Sequence, residues 1–473
     1  MHVAPVVIET KDIMVHGMDT LNTPQAAVGI SPAELVVPQR SFYRHYVLAL
    51  LTGIYAVNVI DRFVVSIVTE QLKMVFHVSD AWIGFLSGVG FALVYAVLGI
   101  PIAYVADRKS RRNIVAGSLA LFSAATLACG VAARFSQLLI ARLVVGIGEA
   151  GTSPPSHSMI SDLYGPKSRA TALGIFSMGP NIGMLTAFVF GGWITGVFGW
   201  RATFLTAGVP GILLTLLLLF TVNEPVRGLH DLGYSQGAVA PTVSEVFRFL
   251  SRRRSFVHLT VASALWCFVG YGTTQWAAPF LIRVHGLDVK VVGTIVGLFL
   301  GIGGGAGALI GGLLGSHLGA LHPRYYMLAP MVASLVALPS SLGFFLIHPT
   351  PLAIAFFAIP SMTTTFFFAN CLAAMQSLVP VRMRATTSAI YLSAVTIIGL
   401  AFGPTTVGLL SDFYRRAWID TSSIAPAAAQ HYAAAEGLRW ALVTCSVVSL
   451  WAALHFYLAS RTLKNDLVRV YET

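Results

Sequence analysis

A chain of 473 residues in which 56% are hydrophobic and 10% charged cannot keep a water-facing surface in solution, because soluble domains carry roughly 25% charged residues; lipid must be the solvent for most of it. The net charge of +11 does not signal nucleic acid, since the basic residues stand in short clusters between apolar runs rather than on one soluble face. Cys129, Cys267, Cys371 and Cys445 fall inside apolar runs with no CxxC or Cys/His spacing, which argues against a disulfide framework or a metal site and for buried, inert thiols.

In chain order, residues 1–43 read as a cytoplasmic tail, with Glu9, Lys11, Asp12, Asp19 and no basic start leading into an apolar core of the signal-peptide kind. Twelve apolar runs follow, at 44–70, 80–106, 112–133, 137–162, 167–195, 201–222, 256–284, 289–317, 324–346, 350–379, 384–410 and 435–461. A helix needs about 20 apolar residues to cross the hydrocarbon, and a backbone in lipid must satisfy its own polar groups, so each run predicts a transmembrane helix. The polar stretch 223–255 parts them into two sets of six: an N-terminal bundle (44–222), a cytoplasmic linker (223–255), a C-terminal bundle (256–461) and a tail (462–473). With both termini in the cytoplasm, 20 basic residues fall in inside segments and 8 in outside ones, Arg62 and Arg142 lying within spans; the positive-inside rule favours that orientation.

The halves echo one another. Pro166, Lys167, Ser168, Arg169, Ala170 and Thr171 follow span four, and Pro380, Val381, Arg382, Met383, Arg384, Ala385 and Thr386 follow span ten, about 215 residues later. A weaker echo pairs Asp80 and Gly84 with Asp288 and Gly293. A duplicated six-helix unit is a transporter architecture, with its site near the midplane between the repeats. Gly301, Gly303, Gly304, Gly305, Gly307, Gly311 and Gly312 crowd span eight; no Gly-Lys-Ser/Thr follows, so they predict close helix approach and bending rather than a phosphate loop.

Three motifs carry a resemblance. Ala103 to Arg112, between spans two and three, resembles the loop signature of the major facilitator superfamily, with an intact Asp-Arg-x-x-Arg-Arg core and with Ala103 and Ser110 in place of two usual glycines. Leu138, Arg142, Gly146, Gly148 and Ala150 match its second signature. Asn58 to Phe63, Gly146 to Ala150 with Ser161 to Leu163, and Glu224 to Gly228 are similar to the spinster branch, in a bacterial-type homologue; the match is strongest over residues 50–230, with Gly408 to Asp412 its best piece in the second half. The resemblance implies an all-α membrane protein of major facilitator fold: twelve transmembrane helices in two pseudo-symmetric six-helix bundles. It also implies a lysophospholipid or sphingosine-1-phosphate-like substrate, a monomer, and residence in a bacterial inner membrane.

Ionisable groups in a bilayer cost roughly 2.5–3.5 kcal/mol each near a helix centre, so those present ask for a role. Span one holds Asp61 and Arg62, and span four holds Arg142 and Glu149, seven apart on one helix face. These four are the candidate proton-coupling cluster: a carboxylate, Asp61 with Glu149 in support, exchanges a proton beside a guanidinium that stays charged, and the freed arginine attracts an anionic headgroup. Asp107, with Arg108, Arg111 and Arg112, is the candidate conformational latch, implied by the resemblance to meet the start of span eleven near Met383 to Thr386. Tyr55, Asn58, Tyr271, Thr274, Gln275, Trp276, Thr364, Phe366 and Asn370 are the candidate substrate wall, mixing apolar area with polar anchors. No HExxH, GxSxG or aspartyl pair suited to peptide cleavage supports an enzyme, and no filter-like repeat supports a channel. The expected function is therefore proton-coupled, alternating-access transport of a small amphiphile, with membrane lipid around it, no cofactor besides the proton and no nucleic acid. The competing substrate class is a drug-like or aromatic organic anion.

Overall fold

The computed structural model describes residues 41–106, 108–227, 242–380, 383–421 and 426–471. Those residues contain helices and turns and no strand. In chain order the helices are α1 (Ser41–Phe76), α2 (Asp80–Ser87), α3 (Val89–Ala106), α4 (Arg111–Gly130), α5 (Phe135–Glu149), α6 (Ser153–Leu163), α7 (Pro166–Phe176) and α8 (Gly179–Thr221). A short α9 (Val243–Ser251) follows, then α10 (Arg254–His285), α11 (Val289–Gly297), α12 (Gly304–Leu321), α13 (Tyr325–Leu346), α14 (Thr350–Ser377), α15 (Arg384–Thr396), α16 (Gly403–Thr421) and α17 (Pro426–Tyr471). Two π-helical segments, Leu298–Gly303 and Ile397–Phe402, join α11 to α12 and α15 to α16.

Ten helical stretches among the described residues are long and apolar enough to cross a membrane. One of them, Ser168–Thr221, is too long for one crossing. It turns back at Gly199, whose φ of 81° is open to glycine at no steric cost, so spans five and six are a helical hairpin. Span four is α5 and α6 in succession, interrupted at Ala150–Thr152. Twelve crossings result, as the hydropathic runs predict.

Two helices run beyond the apolar runs. α16 continues to Thr421 and α17 begins at Pro426. Residues 462–471, expected to be tail, continue α17, and the Asp466 carboxylate accepts from the backbone N–H and hydroxyl of Ser255 at 2.9 and 2.7 Å. Apolarity marks the part of a helix that lies in hydrocarbon; it does not mark where the helix stops, because its polar ends continue into water or pack on the protein. The expected linker 223–255 holds α9, opened by a capping box between Thr242 and Glu245 and anchored by buried Val246 and Leu250. Residues 1–40 of the expected tail lie outside the described residues.

Within each half the helices pack α4 against α8 and α10 against α17. The halves meet along two seams. In one, α2 and α3 face α16 and the Ile397–Phe402 segment; in the other, α8 faces α11 and the Leu298–Gly303 segment. Small residues set the closeness, as expected where lipid supplies no hydrophobic drive between helices. Gly192 and Gly293 oppose each other so tightly that a Cβ on either would stand 2.9 Å from the other's Cα. A Cβ on Gly84 would stand 2.6 Å from the Pro404 carbonyl oxygen.

Candidate functional site

The side chains of Asp61 and Arg62 leave α1 about 100° apart, so each meets a different partner on span four. Arg142 Nη1 lies 2.5 Å from Asp61 Oδ2 and 3.3 Å from the Asp61 carbonyl oxygen. Arg62 Nη2 lies 2.7 Å from Glu149 Oε2. Arg142 and Glu149 are two turns apart on α5, which gives two parallel ion pairs between α1 and α5. A fifth residue completes Asp61: the Thr126 hydroxyl, from α4, donates to its Oδ1. Asp61 and Arg142 are 1% exposed and Glu149 is fully buried, whereas the Arg62 side chain retains 16%. Both guanidinium groups lie near the Phe91 ring, at 5.3 Å for Arg62 and 5.6 Å for Arg142, and Arg62 is also 5.6 Å from the Tyr95 ring. Such placement over an aromatic face is favourable for a poorly solvated cation. Glu149 Oε1, Arg62 Nε and Arg142 Nε are buried without a hydrogen-bond partner among the described residues.

Of the candidate substrate residues, Tyr55 and Tyr271 gather around Arg62. The Tyr55 ring stacks on Phe176 at 4.9 Å and the Tyr271 ring lies parallel to Phe63 at 6.5 Å. Asn58 is buried and donates to Thr152 Oγ1 at 2.5 Å, tying α1 to the break in span four that follows Glu149. The other candidates lie apart from this cluster. Thr274 and Thr364 line a cavity of about 20 Å³ inside the second half, room for a water or so rather than for a solute. The Gln275 backbone carbonyl accepts from the Ser66 hydroxyl at 2.6 Å across the two halves. Trp276 is fully buried, its Nε1 donating to the Pro404 carbonyl at 3.0 Å. Asn370 donates to the Gly311 and Phe366 carbonyls and so clamps α14 to α12, with the Phe366 backbone against Gly311. Trp276 Nε1 and the Asn370 amide N–H groups are thus bonded to backbone carbonyls, as buried polar groups in a dry bundle are.

Sequence reasoning missed the polar cluster where α1 gives way to α2. Arg283, near the end of α10, bridges Asp80 through Nη1 and Nη2 at 2.7 and 2.8 Å and Glu70 through Nε at 2.7 Å. Lys73 also reaches Asp80, and the Ser411 hydroxyl donates to it at 2.7 Å. Asp412, from α16, accepts from the backbone N–H of Asp80 and of Ala81 at 3.2 and 2.8 Å, so the second half caps the first turn of α2. Thr405 adds bonds to Gly84 and Val89. The signal was present as scattered terminal charges, which topology accounts for equally well; pairing them needs the fold.

At the opposite end, where α3 gives way to α4, the latch candidates divide. Asp107 lies outside the described residues. Arg108 is exposed, its guanidinium 3.5 Å from the Tyr104 ring centre. Arg111 is buried and bonds Asp162, Ser158, the Pro225 carbonyl and, at 2.8 Å, Glu224. Arg112 donates its backbone N–H to Glu224 and its side chain to the Val222 carbonyl. Arg111 and Arg112 brace spans three, four and six of their own half. Burial, the largest influence on the Glu224 carboxyl, pushes its proton affinity up; bonds from Arg111, the Arg112 N–H and Ser110 outweigh it and hold the group below the usual carboxylate range.

A family model described as Major Facilitator Superfamily matches residues 51–404. The chain belongs to the major facilitator superfamily. As such it is an integral, multi-pass membrane transporter and not an enzyme. An MFS-type efflux pump of Mycolicibacterium smegmatis is 31% identical over 448 residues, 95% of this chain and 99% of that protein. Protein spinster homolog 1 of Mus musculus is 31% identical over 242 residues, 50% of this chain and 46% of that one. The crystal structure of a bacterial homologue of the human lysosomal transporter spinster, inward-facing and unoccupied, superimposes with a TM-score of 0.79 at 34% identity, covering 90% of this chain and 99% of that one. The occupied form of the same homologue gives 0.80. Both spinster homologues and an MFS-type efflux pump are thus among this chain's relatives.

Proposed function

We propose that the protein carries an amphiphile of the lysophospholipid or sphingoid-phosphate class across a bacterial inner membrane by alternating access, driven by protons through Asp61, with both termini in the cytoplasm. The observation that carries the reading is the pair of buried ion pairs on α1 and α5, of which Arg62 alone among the four charges retains appreciable exposure. An anionic headgroup competes with Glu149 for that guanidinium, and a neighbouring tyrosine cluster accommodates the adjoining apolar part. Protonating Asp61 turns its bond with Arg142 from ion pair to dipole, which loosens α1 from α5 and changes which end opens. The polar cluster at the α1–α2 end corresponds, in the positive-inside orientation, to a closed outer gate, in keeping with the inward-facing relatives.

An aromatic organic anion is the second reading, favoured by the full-length similarity to an efflux pump. Purified protein in proteoliposomes under an imposed pH gradient separates them. Uptake of a fluorescent lysophospholipid, competed by sphingosine-1-phosphate and not by aromatic sulfonates, supports the amphiphile; the reverse pattern sinks it. Asp61→Asn should keep counterflow exchange and lose accumulation driven by the gradient. Undiminished accumulation would remove Asp61 from the mechanism.

A further inference from the structure

We infer that Thr126 is a hydroxyl switch that keeps every oxygen of Asp61 bonded in both protonation states, and so positions Asp61 to exchange its proton without moving a heavy atom. The inference rests on the reading that Asp61 titrates during transport.

Thr126 lies on α4, is 1% exposed and bonds the Asp61 carboxylate oxygen that Arg142 does not. Its Oγ1 has two oxygens within reach: Asp61 Oδ1, and the Phe122 carbonyl one turn earlier at 2.9 Å. A hydroxyl has one proton to give and lone pairs to accept with. It can serve one of the two oxygens at a time, and the protonation state of Asp61 decides which. With Asp61 ionised, Oδ2 accepts from Arg142 and Oδ1 accepts from Thr126. With Asp61 protonated at Oδ1, the carboxyl O–H donates to Thr126 Oγ1, the threonine proton turns to the Phe122 carbonyl, and Oδ2 still accepts from Arg142. No polar atom of the trio is left unpaired in either state, which matters in a dry interior where an orphaned group is costly. A valine has the same shape and neither function; a serine has both.

Other groups set the background field. Arg142 and Glu149 face Asp61 from α5, Cys129 from α4, and Arg62 follows it on α1; Tyr95 of α3 and Tyr271 of α10 act through Arg62. Substitutions at Thr126 leave all of them in place.

Infrared difference spectroscopy of purified full-length protein, titrated with acid and no substrate, reads the carboxyl C=O band that Asp61→Asn abolishes. Thr126→Val should shift the frequency of that band to that of a carboxyl whose O–H has no acceptor while its C=O still accepts from Arg142, and Thr126→Ser should restore it. If valine does not fold, Thr126→Ala carries the same test. A band of unmoved frequency in the valine or alanine variant overturns the switch and leaves the role of Asp61 standing. Absence of any Asp61-dependent band in the wild type removes both.

Discussion

Asp61 and Glu149 each sit within hydrogen-bond distance of a guanidinium from the neighbouring span, at depths where water cannot replace a lost partner. Removing one member of such a pair typically costs about 3–5 kcal/mol, because the other is left charged and dry. Arg142→Ala should therefore lower the melting temperature of detergent-purified protein sharply, and Arg142→Ala with Asp61→Asn should recover part of the loss; equal destabilisation by both would mean that the pair is not the source of the cost. Glu224 makes a second residue-scale case. Its folded carboxyl binds protons less readily than an unfolded one, so it stabilises the protein above the ordinary carboxylate range, and that contribution disappears as pH falls through its lowered value. A melting curve recorded across acid pH should fall in the wild type and be flatter in Glu224→Gln. Parallel curves would show that the Arg111–Glu224 contact contributes nothing to the pH response.

At the scale of elements, every helix that forms the two seams is interrupted. Span two breaks at Gly88, span five at Ser177–Met178, and spans eight and eleven through π-helical segments. π-bulges free backbone carbonyls and let a helix bend locally, which suits elements that must re-pack as the halves rock. Span eight also carries glycines in two i+4 rows: Gly293, Gly297 and Gly301 face α8, and Gly307 and Gly311 face α14. The crowding of glycine was legible in the sequence; its division into a row across the halves and a row within one half was not, because helix phase is read against partners. Gly293→Val would place its branched carbon against the Phe188 carbonyl and Gly192. The seam would then have to part, since overpacking a close contact typically costs about 1–3 kcal/mol. Disulfide trapping of engineered cysteines across α8 and α11 should be lost in this variant and retained in Gly312→Val, where an added Cβ meets only the Ala369 Cβ, at 3.9 Å. Equal trapping in both would refute the close seam.

For the molecule as a whole, one polar cluster holds the halves together at the α1–α2 end: Glu70 and Asp80 from the first half with Arg283 and Asp412 from the second. An equilibrium between two openings moves by as much as one state is stabilised over the other. Arg283→Ala strips Asp80 of its main partner and should shift the population toward the state open at this end. Spin labels placed on Ser79 and Tyr414 should report a longer distance in the variant at neutral pH. An unchanged distance distribution would show that the cluster is not what keeps this end shut.

Length, charge poverty and twelve apolar runs were enough to establish a helical membrane protein with two similar halves, because a bilayer leaves the backbone few alternatives and sets the period at which apolar runs recur. Asp61, Arg62, Arg142 and Glu149 stood out for the same reason: a charge in oil is visible in one dimension. What the chain could not declare is who meets whom. The pairing of Asp61 with Arg142 and of Arg62 with Glu149, the hydroxyl of Thr126, the bridge from Arg283 to Asp80, and the use of Trp276 and Asn370 in packing all join residues distant in sequence. Hydropathy records the solvent each residue needs, whereas partnership depends on helix rotation and on the order in which helices stand beside one another, and those are properties of the assembled bundle.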